Sequence, residues 1–233
     1  MRATRAAGSL KLDERIVRAG FVVALGAVVI QTIAYVLNVA VFDARVTTLL
    51  VDVDTSVFTW ASSSASFTAG FLAFALAVAG RSFSARYAVL AAILTVFSID
   101  DAVAIHERFA AEAAFALDRP EATYGRLLWI AAYAPLLATA AVILWRTSYR
   151  APRMSRLALR LGLVLLGAGI FFEGVVSTTI FAAGGSQGGW PDVVAVTIEE
   201  GAELGGWILI AAGLTGIVVS LLGTRSAALE PTS

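Results

Sequence analysis

The sequence has no cysteine, a single histidine (His106) and a single lysine (Lys11). Without cysteine there are no disulfides, no thiolate chemistry and no cysteine-ligated zinc or iron–sulfur sites. The 17 basic and 17 acidic residues balance, and no basic tail or patch indicates binding to nucleic acid. No motif typical of haem, flavin or nucleotide binding is present. The chemistry that remains is chiefly that of carboxylates.

Apolar residues are abundant. They make up 59% of the chain, with a mean hydropathy of +0.84, whereas soluble domains average about 45–50% apolar residues. This composition predicts an all-α, polytopic integral membrane protein. A chain of 233 residues accommodates about six spans of roughly 20–25 residues and leaves no room for a separate soluble domain.

The hydropathy pattern predicts one six-helix membrane domain over residues 20–223. A basic segment, residues 1–19, precedes this domain, and a short tail, residues 224–233, follows it. Residues 108–118 are predicted to form a short amphipathic helix on the outer surface. The last span is too long for a hydrocarbon core of about 30 Å, so it is predicted to tilt, project or break near its glycines. The six spans are predicted at residues 20–42, 57–80, 87–107, 126–146, 157–183 and 192–222.

The distribution of basic residues predicts the orientation. When the loops are assigned alternately to the two sides, 13 of the 17 basic residues fall on the side of the two termini. The positive-inside rule then predicts that both termini are cytoplasmic and that the protein lies in the plasma membrane. The residues on that side are Arg2, Arg5, Lys11, Arg15, Arg18, Arg81, Arg86, Arg146, Arg150, Arg153, Arg156, Arg160 and Arg225.

Several carboxylates lie inside the predicted spans, where ionisable groups are costly and mark functional sites. Helix direction and a rise of about 1.5 Å per residue place the acids of spans three, five and six in the outer half of the bundle. We therefore predict an outward-facing cation site, with a divalent metal ion as the expected occupant. The predicted ligands are Asp100, Glu173, Glu199 and Glu203, the further candidates are Asp101, His106, Glu107 and Glu200, and the supporting polar residues are Asn38, Ser177 and Arg108.

Three local predictions accompany this site. On a straight helix His106 lies about 120° away from Asp100, so only a kink would turn it towards that carboxylate. Asp101 and Arg108 are seven residues apart on one helix face and are predicted to form an ion pair. Gly169 is predicted to let another helix approach closely beside Glu173.

The sequence leaves the activity open between three classes. The first is a metal-dependent membrane enzyme that acts on a lipid-like substrate. The second is a proton- or cation-coupled transporter that uses the same carboxylates. The third is a structural or sensory membrane subunit. Membrane lipids are the expected surroundings in every case, and the apolar inner half of the spans favours a closed pocket over a transport path.

Overall fold

Helix dominates the secondary structure, as the hydropathy pattern predicts. The computed structural model describes residues 2–51, 56–79, 84–118, 124–186 and 188–228, and within those ranges it describes the side chains from Leu12 to Thr224. The described residues contain no β-strand, and the all-α prediction is confirmed. The helices are α1 (Arg2–Phe42), α2 (Val57–Val78), α3 (Ala85–Val103), α4 (Ile105–Ala116), α5 (Arg126–Arg150), α6 (Arg153–Phe171), α7 (Thr178–Ala182) and α8 (Trp190–Ala228).

Five stretches of the described chain are long and apolar enough to cross a membrane, namely α1, α2, α5, α8 and the continuous helical stretch Arg153–Ala182. A sixth is formed if α3 and α4 count as one broken span, because they follow each other with a bend of 71°. The third span was predicted at residues 87–107. Within that range α3 ends at Val103 and the chain changes direction at Ala104, so these residues do not form one straight helix.

The long helix α8 is central, packing against α1, α2 and α6. Small residues make this packing close: a Cβ atom placed on Gly206 of α8 would lie 3.1 Å from the carbonyl oxygen of Gly162 on α6. Helices approach this closely only where such residues meet. Helix α8 runs for 39 residues without a break, so the break that its glycines suggested is absent.

The first helix includes the segment predicted to precede the membrane domain. Helix α1 begins at Arg2, so the backbone of the basic N-terminal residues continues the first predicted span. After α1 the chain turns, and Asn38 holds this turn: its Nδ2 donates to the carbonyl oxygen of Val46 at 2.9 Å, and its Oδ1 accepts from the Val46 N–H at 3.1 Å. Asn38 therefore stabilises the loop, and it does not line the cavity described below.

The core and the outer surface are both apolar. Leu90, Leu94 and Leu144 are fully buried together with Leu159, Ile210 and Leu214 of the neighbouring helices. On the outside of α1, Val22 and Leu25 are about 70% exposed. Soluble monomers rarely expose large continuous apolar patches, so this surface is compatible with a membrane environment.

Two of the departures from regular α-helix among the described residues lie next to the cavity described below. Ala104, between α3 and α4, has φ 52° and ψ 47°, which is the left-handed region. Residues Phe172–Ser177 form a π-helical segment between α6 and α7. Such π segments are frequently found at functional sites, and both irregularities here adjoin the same cavity.

Candidate functional site

A cavity of about 350 Å³ lies between α3, α4, α5, α6, the π segment and α8. Its two ends differ in chemistry. The polar end is lined by Asp100, Asp101, His106, Glu173 and Glu203, and the aromatic residues Phe97, Trp129, Tyr133 and Trp207 line the wall beside it. The other end is apolar and is lined by Leu94, Ala140, Ala141, Leu144 and Leu163.

The break at Ala104 places His106 next to Asp100. The backbone N–H of His106 donates to Asp100 Oδ1 at 2.8 Å, and its Nδ1 lies 2.9 Å from Asp100 Oδ2. The separation of about 120° expected on a straight helix does not apply, because α3 ends before the left-handed residue Ala104 and α4 begins after it in a different direction. With Nδ1 directed to a carboxylate, the imidazole is oriented and Nε2 is the nitrogen that remains for a ligand.

Asp100 has a third partner across the cavity. The hydroxyl group of Tyr133 on α5 donates to Asp100 Oδ1 at 3.1 Å. The carboxylate is only 6% exposed, and a buried carboxylate is costly unless hydrogen bonds satisfy its oxygens. The three donors meet that need and fix Asp100 in one position.

Glu173 is held by the π segment and by Trp129. The indole Nε1 of Trp129 donates to Glu173 Oε1 at 2.7 Å. The Trp129 ring also contacts the His106 ring, with the centroids 4.8 Å apart. Glu173, Trp129 and His106 therefore form one connected group at the polar end.

Glu203 reaches the cavity from α8 because Gly169 of α6 leaves room for it. A Cβ atom on Gly169 would lie 2.8 Å from Glu203 Cγ and 3.4 Å from the carbonyl oxygen of Glu199. The predicted close approach of a helix at Gly169 is confirmed. Asp100, Glu173 and Glu203, which are three of the four predicted ligands, thus line one cavity.

The fourth predicted ligand, Glu199, and the further candidate Glu200 are outside the lining of this cavity. Glu199 is buried, and its Oε2 lies 3.9 Å from Nη1 of Arg126 on α5. That distance allows an ion pair but is too long for a hydrogen bond. Glu199 therefore lies outside the cavity lining, close to the positively charged side chain of Arg126.

Asp101 lines the cavity but does not form the predicted ion pair. Its Oδ2 accepts a hydrogen bond from Ser63 Oγ of α2 at 2.8 Å, and the described residues show no ion pair between Asp101 and Arg108. The reason is again the break at Ala104, which moves Arg108 onto α4, where its side chain is exposed. Glu107 is exposed on the same helix.

Ser177, a predicted supporting residue, closes the π segment. It is fully buried, and its Oγ has no hydrogen-bond partner within the described part of the chain. It does not line the cavity. Of the three supporting residues predicted, Asn38, Ser177 and Arg108, none lines the cavity.

The sequence reasoning missed the contribution of α5. Arg126, Trp129 and Tyr133 each contact a carboxylate of the group, namely Glu199, Glu173 and Asp100 respectively. Their spacing of three and four residues puts them on one face of a helix. That polar and aromatic stripe in an otherwise apolar span was the signal that could have revealed them.

The polar end combines four carboxylates with one imidazole, and no arginine or lysine of the described residues lines the cavity. Oxygen and imidazole donors together suit divalent cations such as manganese, iron or zinc. The described side chains do not, however, place three or more histidine, aspartate or glutamate residues in a ready-made metal-binding arrangement. A bound ion would require rotation of the glutamate side chains around the fixed pair of Asp100 and His106.

Comparison with known proteins gives a family. Neither a curated protein nor a solved structure matches the chain. One family model matches residues 16–217 and so covers every residue that lines the cavity. The chain belongs to the family described as "Domain of unknown function (DUF8692)".

Proposed function

We propose that this protein is a six-span protein of the plasma membrane, with both termini in the cytoplasm, that binds a divalent cation at the polar end of the cavity. The apolar helices and the exposed apolar surface of α1 support insertion in a bilayer. Counting α3 and α4 as one broken span gives the even number of crossings that the arginine distribution requires. With that orientation, the polar end of the cavity faces outward.

The observation that carries the proposal is the pairing of His106 with Asp100 on a cavity that three further carboxylates line. Metal-bound histidines commonly direct their second ring nitrogen to a carboxylate, which fixes the tautomer and orients the ring. In this arrangement Asp100 is the orienting residue, and the ligands are His106 Nε2 with Glu173 and Glu203. Asp101 remains as a carboxylate that could accept a proton.

The activity that fits this arrangement best is metal-dependent catalysis on a lipid-like substrate. A bound divalent ion would polarise a substrate oxygen or activate a water molecule. The protein would contribute Asp101 as a general base and the aromatic wall as a surface that excludes water. The apolar inner end, with Leu94, Leu144 and Leu163, favours this reading over transport, because it offers no polar path towards the cytoplasmic side.

Elemental mass spectrometry on purified protein tests the proposal. We expect the wild type to carry stoichiometric metal after incubation with Mn²⁺, Fe²⁺ or Zn²⁺ and removal of the free ions. The double variant Glu173→Gln/Glu203→Gln should lose it, because the amides keep the size of the side chains and remove the charge. The control Glu112→Gln changes an exposed residue of α4 outside the cavity and should retain the metal. A wild type that holds no metal under any of these conditions would contradict the proposal.

A further inference from the structure

The cavity is elongated and has one polar end. Along α5 its lining extends from Trp129 to Leu144, which corresponds to about 22 Å of helix. The carboxylates and His106 lie near Trp129, whereas the far end contains only aliphatic side chains. A cavity with this polarity matches a molecule that has a small polar group at one end of a hydrocarbon chain.

The cavity opens on the side of the bundle, between α5 and α6. Two small residues of its lining, Ala138 on α5 and Gly167 on α6, are exposed at the molecular surface. The surrounding surface is apolar: Val142 and Val164 are 49% and 63% exposed. Pro135 lies one turn from Ala138 within α5, and a proline there weakens the regular helix beside the opening.

The opening lies at the middle of both helices. Ala138 is twelve residues from either end of α5, and Gly167 is near the centre of the stretch Arg153–Ala182. Each is therefore about 18–22 Å from a helix end. If these helices cross a bilayer, the opening faces its hydrocarbon centre, where the alkyl chains of lipids are the only abundant partners.

We infer that the apolar arm of the cavity binds the single hydrocarbon chain of an amphiphilic substrate, which enters from the bilayer between Ala138 and Gly167. This inference rests on the proposed function, because the cation site then holds the polar end of the same molecule. It narrows the lipid-like substrate to an amphiphile with one hydrocarbon chain, and it adds the subsite for that chain and the route of access. Gly167 is the specificity-determining position, since its missing side chain leaves the opening free.

Gly167 also provides a direct test. A Cβ atom there meets nothing within 4 Å, so position 167 has space for a side chain, and Gly167→Leu is expected to obstruct the opening. Gly26 of α1 is likewise open to a side chain and lies outside the cavity, so Gly26→Leu is the matched control. Ala138→Leu closes the same opening from α5 and guards against a folding defect in the first variant.

The probe is hexadecanol that carries a diazirine near its methyl end, photo-crosslinked to the protein in lipid nanodiscs and mapped by mass spectrometry. We expect labelling near Leu144 and Leu163 that excess unlabelled hexadecanol removes. Gly167→Leu and Ala138→Leu should each reduce it by about tenfold or more, a loss of at least about 1.4 kcal/mol in binding free energy, because the new side chain occupies the opening through which the hydrocarbon chain enters. Gly26→Leu should label like the wild type.

The inference is overturned if labelling is spread over the whole apolar surface, or if both plugging variants label as strongly as the wild type. Metal content measured on the same samples separates the two proposals. Labelling at Leu144 and Leu163 without any bound metal would sustain the chain subsite and overturn the cation site. Bound metal with unchanged labelling in the plugged variants would do the reverse.

Discussion

Asp100 is the residue on which most hydrogen bonds of the site converge. It accepts from the His106 backbone, contacts the His106 ring and accepts from the Tyr133 hydroxyl group. Sequence reasoning selected Asp100, Glu173 and Glu203 because charges in apolar helices are costly. It could not identify the residues that donate hydrogen bonds to these carboxylates, because Trp129 and Tyr133 are equally typical of membrane interfaces and of structural cores.

Asp100→Asn should weaken metal binding by about 10–100-fold, the usual effect of losing a residue that orients a metal ligand. The amide has nearly the size of the carboxylate, but its nitrogen cannot accept, so Asn cannot accept both hydrogen bonds that Asp100 forms with His106. Isothermal titration calorimetry with Zn²⁺ or Mn²⁺ on purified protein measures the change. Glu112→Gln is the control, and wild-type affinity in Asp100→Asn would show that the orienting role assigned to Asp100 is incorrect.

At the scale of elements, two irregular segments place the site residues. The left-handed Ala104 turns His106 towards Asp100, and the π segment holds Glu173 opposite Trp129. Neither irregularity has a clear signal in the sequence. Position 104 is an alanine, and left-handed conformations disfavour residues with a Cβ atom. Some helix ends were predictable to within a few residues, as α2 and the start of α5 show, whereas α1 begins at Arg2 and not at residue 20. The two irregular segments that position the site residues, Ala104 and the π segment, were not predictable.

The close contact between α6 and α8 at Gly169 is another feature of the helices that positions a site residue. Gly169→Ala should destabilise the protein by about 1–3 kcal/mol, because the new methyl group overlaps the Glu203 side chain and approaches the backbone of α8. Gly167→Ala, two residues earlier on α6, meets open space and should be neutral or stabilising by up to about 1 kcal/mol. Unfolding titrations of both variants in detergent measure the difference. Equal stability of the two variants would contradict the packing described for α6 and α8.

At the scale of the whole molecule, composition was sufficient to predict an all-α chain dominated by apolar helices. It did not resolve whether α3 and α4 form one span, because the break at Ala104 is local. The polar end of the cavity brings together residues of α3, α4, α5, the π segment and α8, from Asp100 to Glu203. Such a juxtaposition depends on side-chain packing, and hydropathy does not encode it. The depths predicted for Asp100, Glu173 and Glu203 in the bilayer nevertheless placed all three residues in its outer half.

Anomalous X-ray diffraction from crystals of the protein grown with Zn²⁺ or Mn²⁺ would show directly whether a cation binds in the cavity. We predict an anomalous peak at the polar end of the cavity, about 2.0–2.6 Å from His106 Nε2 and from oxygens of Glu173 and Glu203. Crystals of the Glu173→Gln/Glu203→Gln variant should lack it. A well-ordered cavity without a peak in the wild type, or a peak elsewhere that survives in the variant, would contradict the account.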